Sequence, residues 1–568
     1  CACLVGSEMC IRDRFCADQY ECLEIFAKTQ KGEKGSVSVR KLPDGEFLTQ
    51  PAEKYHAAWL KFDLRQGACY EVKLENAEPV YCYLSGNENI LEEGVRFLEF
   101  QEQGVTAYTK ENLKSFFDTP YREQYHFQAY KNWLNDPNGL CWFQGYYHMF
   151  YQMNPAFQGW DNMHWGHAAS KDLVHWTYLP VVLAPQPELD DYPEFLGGAF
   201  SGSALVEEDQ VSLFFTRHFS PTHERTKIEY QSRVTSKDLL HFSPEEIVLR
   251  IKPSCEISQN FRDPKVFIED GVYKMVVGSG ISESAAMLQF HSRDQKKWVY
   301  DGPVVQENDP KIGGCFECPD LFQLDGKMVA VGCAWKLVLP DGRKQTEWYY
   351  IGERKDGCQL AVESKRIYDF GTNFYAIQSF EHQGRRIAVG WVADNYKEHV
   401  EAENGAYGSM GLPRELRVKE DRLIQKPVEE IYSLLGETVL RESGKQQVCC
   451  EVPGNSYWAK VSLSKPGDFS ISLGEEDGRS IRLECVNGVT GLRTQGVKSE
   501  NIGFVSDVEK VTEIEIFVDR RLVEVYLNGG EGAGAKLFYQ HTKDGRFAAQ
   551  FEENILQDVQ VRQMNSAW

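Results

Sequence analysis

Three acidic residues stand in settings that suit acid–base or nucleophilic chemistry. Asp136 lies in Trp133-Leu134-Asn135-Asp136-Pro137-Asn138-Gly139, Asp263 in Phe261-Arg262-Asp263-Pro264, and Glu317 in Cys315-Phe316-Glu317-Cys318-Pro319-Asp320. In the first stretch Pro fixes φ, while Asn and Gly accept left-handed conformations, so a tight turn is expected. Flanked by Trp133 and the apolar run Leu140-Cys141-Trp142-Phe143, such a turn holds its carboxylate rigidly at a strand end, as catalysis requires. The same residues also make an ordinary β-turn with a capping Asp. Asp263, beside Arg262, is expected to stay ionised. Glu317, in an apolar and Cys-rich setting, is expected to have a raised pKa and to donate a proton near neutrality. One raised and one ionised carboxyl is the pairing that glycoside hydrolysis needs. Taken singly, Arg-Asp-Pro reads as a surface loop and Glu-Cys carries no signal. As a trio, each at or just before the start of a strand in a different repeat, they can converge on one channel.

The elements that must position these residues are strands. Polar-Gly hairpin turns feed apolar strands at Gln144-Gly145, Asp270-Gly271, Asp325-Gly326 and Gln383-Gly384, with an irregular spacing of about sixty residues. Radial repetition of four-stranded sheets produces this grammar, so residues 122–427 are expected to form a five-bladed β-propeller. A large β-sandwich is the competing architecture. Residues 15–118 alternate over short stretches between turn clusters and predict a β-rich accessory domain, either a sugar-binding module or a purely structural one. In residues 428–568, Ile514, Ile516 and Val518 share one face. Asp519-Arg520-Arg521 makes a turn, and Val523, Val525 and Leu527 return. That is a half-buried hairpin of a β-sandwich. No long helical pattern stands out, and the fold class is all-β.

At 568 residues the chain is too long for one ordinary core. Its net charge of −22 argues against nucleic acid or an anionic membrane as partner. No run of 18 apolar residues predicts a membrane span. The 12 Trp and 27 Tyr suit stacking on sugar rings as well as β-sheets. Sixteen scattered Cys point towards reduced thiols and a cytoplasmic location. Cys315 with Cys318, and His164 with His167, lack a second ligand pair, so no metal site is expected. Residues 3–14, CLVGSEMCIRDR, resemble the translation of a transposase sequencing adapter. Residues 1–14 are therefore expected to be foreign, with the natural start and any signal peptide outside this sequence.

Further motifs follow in order: Tyr151-Gln152-Met153-Asn154-Pro155, Met163-His164-Trp165-Gly166-His167, and Ser170 through Trp176. After them come Phe200-Ser201-Gly202-Ser203, Phe374 through Phe380, Leu412-Pro413-Arg414-Glu415-Leu416, and Val523 through Asn528. Together with the three acidic stretches, over residues 122–568, they resemble glycoside hydrolase family 32, the β-fructofuranosidases: invertase, sucrose-6-phosphate hydrolase, levanase and inulinase. The resemblance implies a five-bladed propeller joined to a β-sandwich, and a retaining mechanism. In it Asp136 matches the nucleophile, Glu317 the acid/base, and Asp263 the transition-state stabiliser that binds fructosyl hydroxyls. Asn135, Gln152, Trp160, Phe200, Ser201 and Arg262 match positions lining the fructosyl pocket. For Trp160 and Phe200 the alternative is a packed core aromatic. Retention requires the Asp136 and Glu317 carboxyls to lie roughly 5–5.5 Å apart. The implied substrate is sucrose or sucrose 6-phosphate. An exo-levanase or inulinase, with residues 15–118 as a polysaccharide-binding module, is the alternative, and an inert fructan-binding protein is a third reading. No cofactor is implied, since two carboxylates and water suffice. Three places depart from the family pattern: Asn373 replaces an acidic residue, Tyr407 replaces a Trp, and 127–131 lacks a common Pro. The first bears on a hydrogen bond behind the pocket, the second on the pocket rim where the leaving group sits, and both on substrate length.

Overall fold

The computed structural model describes residues 10–29, 34–52, 59–101, 104–191, 195–221, 227–250, 252–309, 312–355, 357–398 and 406–568. Strands dominate, and the two α-helices among these residues, Ile90–Glu93 and Leu113–Phe117, are about one turn each. Five consecutive sheets, here called I to V, begin with the strands Asn132–Phe143, Phe195–Glu207, Ile257–Glu269, Phe316–Leu324 and Phe374–His382. In sheets I to IV the strands follow chain order outward as an antiparallel meander. Each first strand touches the next one, and the fifth touches the first, so the five close into a ring. The short strand Ala406–Tyr407 pairs in parallel with Asn132 and Trp133, which ties the end of this segment back to its beginning.

The hairpin turns read from the sequence are the turns between first and second strands of sheets I, III, IV and V. Both central residues have positive φ: Gln144 and Gly145 at 48° and 90°, Asp270 and Gly271 at 51° and 73°, Asp325 and Gly326 at 49° and 82°, and Gln383 and Gly384 at 50° and 72°. That is the type I′ geometry that matches strand twist, and it explains the polar-Gly pattern. Sheet II makes the same connection through Glu208-Asp209, which has no glycine. This is why the repeat shows only four copies in the sequence, with a double gap after the first.

All five first strands share a second feature. Each breaks its ladder at the same place, over Asn135-Asp136, Phe200-Ser201, Asp263-Pro264, Cys318-Pro319 and Ala376-Ile377. Such bulges leave residues unpaired and re-aim their side chains. The opening stretch is therefore not a chain-reversing turn at a strand end, as expected. It is a twice-bulged segment inside one strand, with register breaks on either side of Pro137-Asn138. Pro137 removes a backbone donor within the irregular segment, and Gly139 takes φ of 53° where a Cβ would sit 2.6 Å from Phe150.

Two six-stranded sheets from residues 435–564 enclose one apolar core. Ile514, Ile516, Val518, Val523, Val525 and Leu527 all lie in it, and the hairpin pairs Ile514 with Leu527 and Val518 with Val523. Before residue 109, a four-stranded and a five-stranded sheet share another core. Of the residues expected to be foreign, 1–9 lie outside the described residues, and Cys10 to Arg14 belong to the strand Cys10–Cys16, paired with Cys69–Glu75. Cys16 and Cys69 form a disulfide, which departs from the expectation of reduced thiols throughout.

The ring and the C-terminal sheets are joined by a buried ionic network. Arg414 bonds Asp369 at 3.0 Å and Glu524 at 2.9 Å, and His126 lies between Asp519 at 2.9 Å and Glu524 at 3.2 Å. Burial alone pulls the His126 pKa down, but its bonds to Asp519 and Glu524 reverse this and lift it to about 9. The linkage has a definite sign. Stabilisation from His126 is complete below the unfolded value of about 6.5 and is lost as pH rises through about 9. It amounts to about 3 kcal/mol. Thermal midpoints measured from pH 6 to 9.5 are expected to fall across this window, and His126→Gln is expected to remove most of that slope.

Candidate active site

The first-strand bulges bring Asp136, Asp263 and Glu317 to one place. Cys318 joins them: its Sγ lies 3.5 Å from Asp136 Oδ2 and 3.6 Å from Asp263 Oδ2, and its backbone N–H donates to Asp263 Oδ2 at 2.9 Å. Residues of sheets I, III and IV, far apart in sequence, thus meet because each strand bends at the same level.

Asp136 is held by donors from two sheets. Asn135 Nδ2 donates to Oδ1 at 3.1 Å, and Ser201 Oγ makes a short bond to Oδ2. Behind them Gln152 accepts from Asn135 at 2.6 Å and donates to Ser201 at 2.7 Å, while Trp133 Nε1 fixes Asn135 at 2.8 Å. Asn135, Gln152 and Ser201 are buried. Burial raises the Asp136 pKa, Ser201 opposes this, and the charge of Glu317 adds to it. This is a carboxylate fixed in one rotamer by groups that stabilise its charged form.

The expected environments of Asp263 and Glu317 are exchanged. Arg262 does not bond Asp263. Asp263 lies in the bulge at φ of 63°, which re-aims its side chain to the Cys318 N–H. Arg262 donates to Glu317 Oε1 at 2.8 and 3.1 Å and to Glu229 at 3.0 Å, and Tyr375 OH donates to Glu317 Oε2 at 2.6 Å. Glu317 is therefore held by polar groups rather than surrounded by apolar ones. Asp263 is pushed up to about 7, chiefly by burial, against the opposing charge of Arg262. Glu229, missed in the sequence, anchors Arg262 and also binds His218 at 2.9 Å and the Phe261 N–H at 2.6 Å. Nothing local marks Glu229 beyond its ion pair with Lys227 at 2.9 Å, because His218, Phe261 and Arg262 come from other strands. Tyr375 was visible in the Phe374–Phe380 motif but without a role.

The aromatic expectations resolve by exposure. Trp160 is 42% exposed, which rules out a packed core position, and it meets Phe200 edge-on at 5.9 Å. Phe200 stacks on His218 with ring centroids 4.0 Å apart. On the Arg262 side, Trp335 carries the Arg262 guanidinium at 5.2 Å, Lys227 Nζ at 5.6 Å and Lys336 Nζ at 4.1 Å from its ring centre. Tyr407 fills its place by stacking on Trp133 at 4.7 Å, and Asn373 is buried with its amide on the Ala393 carbonyl. Among the described residues no three His, Cys, Asp or Glu side chains gather as a metal site, and no helix is long and apolar enough to cross a membrane.

Residues 126–427 match the glycosyl hydrolases family 32 N-terminal domain, more than half of the chain. The chain belongs to glycoside hydrolase family 32. Family 32 relatives extend over most of its length. A sucrose-6-phosphate hydrolase from Escherichia coli is 30% identical and covers 74% of this chain and 90% of its own. A raffinose invertase from Escherichia coli is 31% identical over 73% and 89%, and a levanase from Bacillus subtilis is 30% identical over 73% and 66%. A family 32 structure from Bifidobacterium adolescentis superposes with a TM-score of 0.91 at 31% identity, covering 98% of this chain and all of the other. That neighbour therefore shares the N-terminal sheets as well. As a member of family 32 the chain is a glycoside hydrolase, and its clustered carboxylates are the groups such chemistry uses.

Proposed function

We propose that this family 32 hydrolase is a retaining β-fructofuranosidase acting on sucrose or sucrose 6-phosphate. The closed ring of five first strands is read as the centre of a five-bladed β-propeller over residues 122–427. Residues 15–118 form an accessory domain, and residues 428–568 form a β-sandwich. The observation that carries the reading is the convergence of Asp136 and Asp263 on Cys318, next to Glu317, with Asp136 held by Asn135 and Ser201 and Glu317 by Arg262 and Tyr375.

The steps follow from the groups present. Asp136 attacks C2 of the fructosyl unit, and Glu317 gives its proton to the departing glycosidic oxygen, so the aldose leaves as an alcohol. The Asp136 ester is then cleaved by water. Glu317, now a carboxylate facing Arg262, takes a proton from that water, which bonds to C2 and restores the Asp136 carboxylate. Asp263 accepts hydrogen bonds from fructosyl hydroxyls, which strengthen as positive charge develops at C2. Trp160 and Phe200 offer apolar faces to the fructose ring. Two carboxylates acting through a covalent intermediate require about 5–5.5 Å between the Asp136 and Glu317 carboxyls.

Specificity rests on the leaving-group side, where Trp335 and its cations stand beside the acid/base. Arg262 is paired with Glu317 and Glu229, and Lys227 with Glu229, so of the three it is Lys336 that favours an anionic leaving group. Fructose release measured on sucrose, sucrose 6-phosphate, inulin and levan tests the reading. The expected result is a higher kcat/KM on sucrose 6-phosphate or sucrose than on either polymer. Preference for levan or inulin would favour the exo-fructanase reading, and no release from any of them would overturn both.

A further inference from the structure

Glu317 must carry a proton to release the leaving group, yet it stands against a buried cation. Arg262 Nη2 and Nε donate to Glu317 Oε1 at 2.8 and 3.1 Å, and the Tyr375 hydroxyl donates to Oε2 at 2.6 Å. Donors and positive charge so placed favour a carboxylate over its acid. The far side of the same guanidinium is occupied. Arg262 Nη1 donates to Glu229 Oε1 at 3.0 Å and to Asn260 Oδ1 at 2.8 Å. Glu229 stands on the third strand of sheet II, across from His218, and its side chain is fully buried. It also binds the His218 ring at 2.9 Å, the Phe261 N–H at 2.6 Å and Lys227 Nζ at 2.9 Å. Burial resists its charge, but Arg262, His218 and Lys227 outweigh this and hold its carboxyl below the usual carboxylate range. A buried charge is costly unless it is paired, and here the pairing leads through Arg262 to the acid/base.

We propose that Glu229 is a positioning residue that shares the Arg262 charge with Glu317, so that Glu317 keeps the proton which the leaving oxygen needs.

The set Glu229, Arg262 and Glu317 is neutral when Glu317 is protonated and carries one negative charge when it is not. Removing the Glu229 charge makes the first state cationic and the second neutral, and a buried site favours the neutral one. An Arg262 left to Glu317 alone therefore strips the acid of its proton. The other charged groups facing Glu317 are Asp136 and Asp263, which act in the same direction as Glu229. The thiol of Cys315 and the phenol of Tyr375 also face it, and burial keeps both neutral. Lys227 works against Glu229. Its side chain is 20% exposed, it binds Asn260 Oδ1 at 2.7 Å, and it draws on the Glu229 charge from the outer side. Lys336, on the Trp335 ring, is the remaining cation of this group.

The inference rests on Glu317 being the acid/base, and it is tested on the full chain with Glu229→Gln and Lys227→Met. The alkaline limb of kcat/KM on sucrose reports loss of the Glu317 proton. Glu229→Gln is expected to move this limb acidward by about one pH unit, and Lys227→Met to move it the other way by about half a unit, because the two changes remove opposite charges from one network. On β-D-fructofuranosyl fluoride, whose leaving group needs no proton, the alkaline side of the profile is expected to stay in place in both variants. A Glu229→Gln enzyme slowed at every pH with its limb unmoved would mark a structural role and overturns the proposal, as do shifts of the same sign in both variants. Infrared titration of Glu317, read as the difference between each protein and its Glu317→Gln counterpart, needs no turnover. Its midpoint is expected to fall in Glu229→Gln and to rise in Lys227→Met, and an unmoved midpoint overturns the proposal even if no fructoside is hydrolysed. A wild-type alkaline limb that is the same on sucrose and on the fluoride counts against the acid/base reading alone, and the infrared midpoints still decide the inference. Should Glu229→Gln fail to fold by circular dichroism, Lys227→Met carries the test, and an unmoved or acidward limb in it overturns the proposal.

Discussion

Asp136→Asn is expected to lower kcat on sucrose by on the order of 10⁴-fold with the fold intact. The side chain keeps its size, and its surroundings can accommodate the amide. Asn135 can still donate to the carbonyl oxygen, and the Ser201 hydroxyl, which now donates to Oδ2, can rotate to accept from the new NH₂. What disappears is the charge and the nucleophilic oxygen, so no ester to C2 forms. KM is expected to change little, since Asn135, Gln152, Asp263 and the aromatic pair Trp160 and Phe200 are untouched. Steady-state kinetics and a thermal melt on the same preparation check both halves. Fructose release by the variant at a rate near that of the wild type would remove Asp136 from the nucleophile role.

Glu317→Gln is expected to separate the two jobs assigned to Glu317. On sucrose the leaving oxygen needs a proton, and loss of the acid is expected to cost about 10²–10⁴-fold. On β-D-fructofuranosyl fluoride the leaving fluoride needs no proton, so ester formation at Asp136 proceeds and the penalty shrinks. The second step then slows, because water has lost its base. Azide, which attacks without giving up a proton, is expected to rescue turnover of the fluoride by forming fructosyl azide. Equal losses on both substrates, with no azide effect, would show that Glu317 holds the site together rather than moving a proton. Tyr375 and Arg262 keep the amide oriented in this variant: the guanidinium still donates to the carbonyl at the Oε1 position, and the Tyr375 hydroxyl can rotate to accept from the NH₂ that replaces Oε2.

Much of the architecture was legible because it depends on local rules. The type I′ turns announced themselves through Gly145, Gly271, Gly326 and Gly384, and the strand Glu513–Asp519 through its alternation. The missing fifth turn, Glu208-Asp209, was invisible because a two-residue connection without glycine has no distinctive composition. The site was legible as a set of residues and partly misread as an environment. Asp136, Asp263 and Glu317 come together as the motifs implied, but Arg262 turns to Glu317 rather than to its neighbour Asp263. The bulge over Asp263-Pro264 and the left-handed backbone at Asp263 send its carboxylate to the Cys318 N–H, which adjacency in the sequence does not show. Glu229 was unreadable for a related reason. It binds Arg262 of another strand, and no local pattern records such a contact. Asp519 looked like a turn residue, yet its carboxylate accepts from the backbone N–H groups of Gln124, Tyr125 and His126 and so clamps the C-terminal sheets to the ring.

The central claim is that fructose leaves through a covalent bond to Asp136 with retained configuration. Free fructose mutarotates and loses this record, but a methyl fructoside does not. Sucrose or sucrose 6-phosphate turned over in water containing methanol, with the methyl fructofuranoside examined by NMR, reads the stereochemistry directly. The account predicts the β-anomer. The α-anomer as the enzymatic product would show a single inverting displacement and contradict it.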